Sequence, residues 1–190
     1  MPSRAPHALP RKADTAPESP GDRVRKQAAE VVAKTEGDGR MAEPDFRIWT
    51  DGACRGNPGP GGWGYIVRAS SGEESVQYDA ERQTTNNRME LMAVIEALKS
   101  LPGPSSVELF SDSQYVVKGM SEWVKGWQRR GWKKSDGKPV VNDDLWKELV
   151  EVAATHQVRW SWVEGHAGHE ENERCDGLAN QAIDEASWTP

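Results

Sequence analysis

The chain has 190 residues, 24 Lys+Arg against 30 Asp+Glu for a net charge of −6, and two cysteines, with a mean hydropathy of −0.79. That is length enough for one domain with a real core. It contains no apolar run that would span a bilayer, no basic start leading into an apolar stretch, and too few cysteines for a disulfide framework, so a reducing, cytoplasmic location away from membranes is expected.

Residues 1–43 hold five prolines, no aromatic residue, and eight basic against seven acidic residues. Such a segment cannot bury enough apolar area to offset its ordering entropy, which predicts a disordered tail with at most a transient helix over Val24–Lys34. Residues 44–190 read as a folded domain. Phe46–Asp51 alternates and is bounded by Gly52, as a strand should be. Trp63–Arg68 and Ser75–Gln83 are two further strands, joined through Ser70-Ser71-Gly72 as an antiparallel meander. Over Asn86–Ser100, Met89, Met92, Ala93, Ile95 and Leu98 recur at helical spacing, and Pro102 ends the helix. Val107–Phe110 is a short apolar strand expected inside the sheet. Helices are predicted over Gln114–Gln128 and Asn142–His156, the second N-capped by Asn142. A strand over Val158–Val163, with Trp160 and Trp162 as core, and a helix over Glu170–Ala186 complete the chain. This order predicts an α/β fold with a five-stranded mixed sheet, three antiparallel strands and then two parallel additions, flanked by helices.

Four acids fall at informative places. Asp51 ends the first predicted strand and Asp112 the fourth, Glu90 lies early in the first long helix, and Asp176 lies in the last. Open α/β sheets collect functional groups at strand carboxyl ends. Alone, each acid reads as a solvated surface charge. Gathered, they need a compensating cation, and oxygen donors without a His or Cys cluster favour a hard divalent ion, Mg²⁺ or Mn²⁺. A zinc site from His166, His169 and Cys175 lacks a fourth ligand. The glycine-rich run over residues 56–64 has no following Lys-Ser/Thr, so it reads as a tight turn between the first two strands rather than a phosphate loop.

The net negative charge does not by itself indicate a nucleic-acid partner; such a role must rest on local charge. One segment supplies it: residues 123–138 hold six basic residues against the single acid Asp136, interleaved with three tryptophans. Clustered bases with aromatics describe a phosphate-tracking surface, although the tryptophans also suit inward packing.

The residues around the acids carry a resemblance. Asp51-Gly52-Ala53-Cys54-Arg55-Gly56-Asn57-Pro58-Gly59-Pro60-Gly61-Gly62-Trp63-Gly64 resembles the first motif of bacterial type 1 ribonuclease H. Thr84-Thr85-Asn86-Asn87-Arg88-Met89-Glu90-Leu91 resembles the second, and Ser111-Asp112-Ser113-Gln114-Tyr115-Val116 the third. Gly165-His166-Ala167-Gly168-His169 through Asn172-Glu173-Arg174-Cys175-Asp176 resembles the fourth. The four run in order across nearly all of the predicted domain.

The resemblance implies endonucleolytic hydrolysis of the RNA strand of RNA–DNA hybrids, without sequence preference and with 5′-phosphate products, by a monomer. Asp51, Glu90, Asp112 and Asp176 are then the catalytic carboxylates, binding two Mg²⁺ ions (Mn²⁺ the alternative) about 4 Å apart, with His166 as auxiliary catalytic histidine. Cys54, Asn57, Asn86, Asn87 and Gln114 would line the minor groove against the ribose strand, where the 2′-hydroxyl marks RNA, and Thr85 would help hold a DNA phosphate. For Cys54, plain packing stands beside substrate contact. The basic segment matches the family's handle, in which Trp123, Lys125, Trp127, Arg129, Arg130, Lys133, Lys134 and Lys138 would grip the DNA strand. Glu164 and Glu170 depart from the usual pattern beside the histidine. Two other readings stand further off. A resolvase-like or transposase-like nuclease would lack the handle and the Asn86-Asn87 and His166 motifs, and a non-catalytic hybrid-binding module would need a missing carboxylate.

Overall fold

The computed structural model describes residues 43–187. The tail expected over 1–43 therefore lies, Glu43 apart, outside the described residues, as does the transient helix at Val24–Lys34. The elements are β1 (Phe46–Cys54), β2 (Gly59–Ala69), β3 (Glu74–Thr84), α1 (Asn86–Lys99), β4 (Ser106–Ser111), α2 (Gln114–Lys118), a π-helical turn (Gly119–Trp123), α3 (Val124–Arg129), α4 (Asp143–Ala153), β5 (Gln157–Trp162) and α5 (Glu170–Glu185).

The sheet order is β3-β2-β1-β4-β5. β1 and β2 pair antiparallel, as do β2 and β3, while β4 joins β1 and β5 joins β4 in parallel. The predicted mixed sheet is thus the observed one. Alternation along β1 explains how the helices attach. Ile48 lies in the main core with Leu91, Val94, Ile95, Leu98 and Leu149, whereas the next residue, Trp49, lies in a second cluster with Ile66 and Cys175. Period-two geometry sends neighbours to opposite faces, so a strand apolar at successive positions is covered on both. Helix α5 is further tied to the sheet through Arg68–Glu171 at 2.9 Å and Arg174–Glu74 at 2.6 Å. Among the described residues, no helix is long and apolar enough to cross a membrane.

Several local expectations need correction. β1 does not stop at Asp51, because β2 continues to pair with it through Cys54↔Gly61 after β4 has ended. The glycine-rich run is not mainly a turn: Gly59, Gly61, Gly62 and Gly64 lie within β2. A β-carbon on Gly62 would strike Ala179, Ala182 and Ile183, and one on Gly64 would strike Leu178 and Cys175. These glycines let α5 lie directly on the strand. The helix expected over Gln114–Gln128 is interrupted by the π turn, whose first residue, Gly119, lies against the Trp146 ring without room for a β-carbon. Asn142 sits at the N-cap position of α4, but in left-handed backbone (φ 58°), and its side chain does not cap the helix. Its Oδ1 instead accepts a hydrogen bond from Arg88. Trp160 packs partly against the core as expected. Trp162 does not: it is 47% exposed, being the last residue of an edge strand with no neighbour beyond it.

Candidate active site

The parallel ladder between β1 and β4 ends at Thr50↔Ser111. Asp51 and Asp112 each stand one residue beyond that pair, which brings two acids to one level of the sheet. Helix α1 delivers Glu90 to the same place because β1 and α1 meet backbone to backbone at Gly52: a β-carbon there would overlap Met89 and Glu90 main-chain atoms. The glycine after Asp51 is what lets α1 come so near. Asp176 arrives on α5, over the other face.

Electrostatics registers how the acids are gathered. The Asp51 carboxyl is pushed up to about 8, first by burial, then by Asp112, and further by Asp176 and Glu90, against a hydrogen bond from Gly52 N–H. Glu90 is pushed up to about 7, first by burial and also by Asp112, while hydrogen bonds from Ser113 and Asn86 oppose the rise. No cationic side chain is among the groups acting on either acid. Like charges so placed stay ionised together only with an added cation. Among the described residues, no three His, Cys, Asp or Glu side chains are drawn in tightly enough to chelate an ion already. The donor set still fits a hard divalent ion, being carboxylate oxygens on half-buried residues, without a cationic partner acting on Asp51 or Glu90.

Each acid is held by neighbours. Ser113 Oγ donates to Glu90 Oε2 while accepting from Val116 N–H as the N-cap of α2. Asn86 Nδ2 donates to Glu90 Oε1 at 2.8 Å. Asn172 Nδ2 donates to Asp112 Oδ2 at 3.1 Å, and the Trp162 indole N–H donates to the Asp112 carbonyl at 3.0 Å. Asn180 Nδ2 donates to Asp176 Oδ1 at 3.0 Å. The sequence pattern assigned no role to Ser113, Asn172 or Asn180, and it misplaced Trp162. A signal for two of them was visible, since Asn172, Asp176 and Asn180 recur every fourth residue along one helix.

His166 is exposed, in left-handed backbone (φ 56°), between β5 and α5. A β-carbon on Gly165 would come within 2.7 Å of Asp112 Oδ2, so the histidine loop starts against that carboxylate. His169 is also exposed, whereas Cys175 lies in the second core cluster with its thiol pushed up by burial. Both cysteines are free.

The predicted ribose-reading side chains collect along the edge beside Glu90. Asn57 Oδ1 accepts from Asn86 N–H at 3.0 Å. Thr85 is the N-cap of α1, its hydroxyl accepting from Arg88 N–H. Cys54 Sγ lies within hydrogen-bond reach of the Gly59 and Thr84 carbonyls, at 3.6 and 3.5 Å, which ties the end of β1 to the end of β3. Asn87 and Gln114 are exposed.

In the basic segment the aromatics turn inward. Trp127 and Trp132 pack on the core, and Trp123 stacks at a tilt on Trp127, 5.8 Å between rings, with Trp127 edge-on to Trp146 at 5.3 Å. Lys125, Arg129, Arg130, Lys133 and Lys138 remain exposed and Lys134 partly so. Ion pairing of these six among the described residues is confined to Lys138–Asp136 at 3.9 Å. Arg88 on α1 reaches Asn142 and both carboxylate oxygens of Asp144, which ties the start of α4, just beyond this segment, to the helix carrying Glu90.

Comparison with known proteins bears on the family and the fold. The RNase H family model matches residues 43–184. A Bordetella bronchiseptica protein named Ribonuclease H is 57% identical over 150 residues, covering 79% of this chain and 94% of that protein. Among solved structures, LC9-RNase H1, described as a type 1 RNase H with the type 2 active-site motif, superposes with a TM-score of 0.68 at 36% identity, covering 78% of this chain and 76% of that one. LC11-RNase H1, solved in complex with RNA/DNA hybrid, gives 0.55 at 25% identity, covering 73% and 96%.

Proposed function

The chain belongs to the ribonuclease H family, and we propose from that premise that it cuts the RNA strand of RNA–DNA hybrids at Asp51, Glu90, Asp112 and Asp176, leaving 5′-phosphates and disregarding base sequence. The observation that carries this reading is the convergence of carboxylates from β1, α1, β4 and α5, with Asp51 and Asp112 one residue beyond the Thr50↔Ser111 pair, α1 against Gly52, and Asp51 repelled by the other three acids without a cationic side chain to offset them. Paired Mg²⁺ ions, with Mn²⁺ as the alternative, would supply Lewis-acid polarisation of the scissile phosphate and neutralise charge on the leaving 3′ oxygen.

The chain's own groups do the rest. Burial and repulsion among the acids favour the protonated forms of Asp51 and Glu90, which a seated cation would displace, so loading would be favoured as pH rises. Ser113 and Asn86 occupy one oxygen each of Glu90 and orient it. His166, on an exposed loop that starts beside Asp112, would pass a proton to or from the reacting end. Asn57, Asn86, Asn87 and Gln114 present amides, which read a 2′-hydroxyl without reading a base. The protein would act as a monomer.

The deciding assay offers end-labelled RNA–DNA, RNA–RNA and DNA–DNA duplexes with Mg²⁺ or EDTA. Cleavage is expected of the first alone, in its ribose strand alone, and with Mg²⁺ alone. Cutting of the DNA duplex, or full activity in EDTA, would refute the proposal.

The exposed cations of the basic segment are assigned to DNA-strand phosphates, with the tryptophans as their scaffold. Replacing Lys125, Arg129, Arg130 and Lys133 together by Gln is expected to raise KM while leaving kcat nearly unchanged. The slope of log K against log salt should flatten by roughly 1 for each phosphate that is no longer neutralised. An unaltered salt slope would take the segment out of the substrate path.

A further inference from the structure

Helix α5 carries three polar side chains on one face, Asn172, Asp176 and Asn180, each about one turn from the next. Two facts set Asn172 apart. It is only 2% exposed, and while its Nδ2 donates to Asp112 Oδ2, its Oδ1 is buried without a partner among the described residues. A half-satisfied buried amide costs stability that an apolar residue of similar size would not, and Asn is a poor helix former besides. Among the described residues, the one bond this side chain makes is to the Asp112 carboxylate, so that carboxylate is what the buried amide serves. One turn beyond Asp176, Asn180 Nδ2 reaches both Oδ1 and the main-chain oxygen of Asp176, at 3.0 and 2.9 Å.

Resting on the function proposed above, we infer that Asn172 and Asn180 are positioning residues that let α5 set two of the four carboxylates, Asp112 through an amide from another element and Asp176 through an amide on its own. The terminal torsion of an aspartate is broad and nearly two-fold, so an undirected carboxylate samples many orientations. A donated N–H selects one of them. Because both amides stand on one rigid helix, Asp112 and Asp176 are held in a common frame although they belong to different elements.

The test compares Asn172→Ala and Asn180→Ala with the parent chain by calorimetric titration of metal-free protein with Mg²⁺, by the rise in Tm on adding Mg²⁺, and by hybrid cleavage. Expected are about 10-fold or weaker Mg²⁺ binding, a smaller Mg²⁺-induced Tm rise, and a kcat loss that higher Mg²⁺ partly restores, with KM for the hybrid unmoved. Asn180 is half-buried and Ala is the best helix former, so Asn180→Ala decides alone if Asn172→Ala fails to fold. Mg²⁺ binding equal to the parent's in a folded variant overturns the inference. A parent chain that leaves hybrids uncut overturns the functional reading instead, so the two failures are separable.

Discussion

Asp51→Asn is expected to lower hybrid cleavage by roughly 10³-fold or more, since it removes the acid that couples electrostatically to all three others and with it several kcal/mol of metal-based stabilisation. Binding of the hybrid should survive, because the basic segment and the amide edge remain. The same substitution should stabilise the metal-free protein at alkaline pH. The Asp51 carboxyl ordinarily titrates at 3.8 and in the fold at about 8. Between those values the folded state holds a proton that the unfolded state has released, so stability falls as pH rises through the window. Glu90 adds the same trend from 4.5 to about 7. Melting curves without metal should therefore show the Tm of the parent dropping toward pH 8. Asp51→Asn should lie roughly 5 °C or more above it there, and the two should converge near pH 4. Saturating Mg²⁺ should recover the parent far more than the variant. A parent Tm that climbs from pH 5 to 8 without metal would contradict the burial and crowding assigned to this carboxylate.

Gly52→Ala should be nearly as damaging, for a steric reason. Its β-carbon would overlap the main chain of Met89 and Glu90 and lie 2.9 Å from Met89 Cβ. A flexible side chain could swing away from such a clash; a helix backbone packed on the central strand cannot. Overpacking of this kind costs about 3 kcal/mol, a Tm drop of roughly 10 °C. The movement of α1 that relieves it carries Glu90 out of register with Asp51, so cleavage should fall even well below the new Tm. Gly103→Ala is the matched control, since its β-carbon meets nothing within 4 Å. It should change neither quantity. If Gly52→Ala melted and cut like the parent, the close approach of β1 and α1 would not be what places Glu90.

What was legible in the sequence is local. Alternation marked β1, helical spacing marked α1, and Ser70-Ser71-Gly72 marked the β2–β3 connection, because periods of two and 3.6 residues are set by each element's own geometry. The mixed sheet, three antiparallel strands and two parallel additions, followed from the order of those elements, whereas the strand order came only from the structure. The four acids were legible because each sits in a motif that spans its own strand end or helix turn. The tertiary structure alone decided the rest. The glycines of β2 read as a turn, since nothing nearby in sequence announces that Ala179 and Leu178 will lie on them. Trp162 read as core, because alternation does not reveal that β5 is an edge strand and Trp162 its last residue. Asn172 and Asn180 were within sight as a four-residue repeat, yet their targets are different in kind: Asp176 is a helical neighbour, while Asp112 is 60 residues away. The raised carboxyls of Asp51 and Glu90 were beyond sequence for the same reason, since burial and Coulomb interaction depend on distance in space and chain order does not supply it.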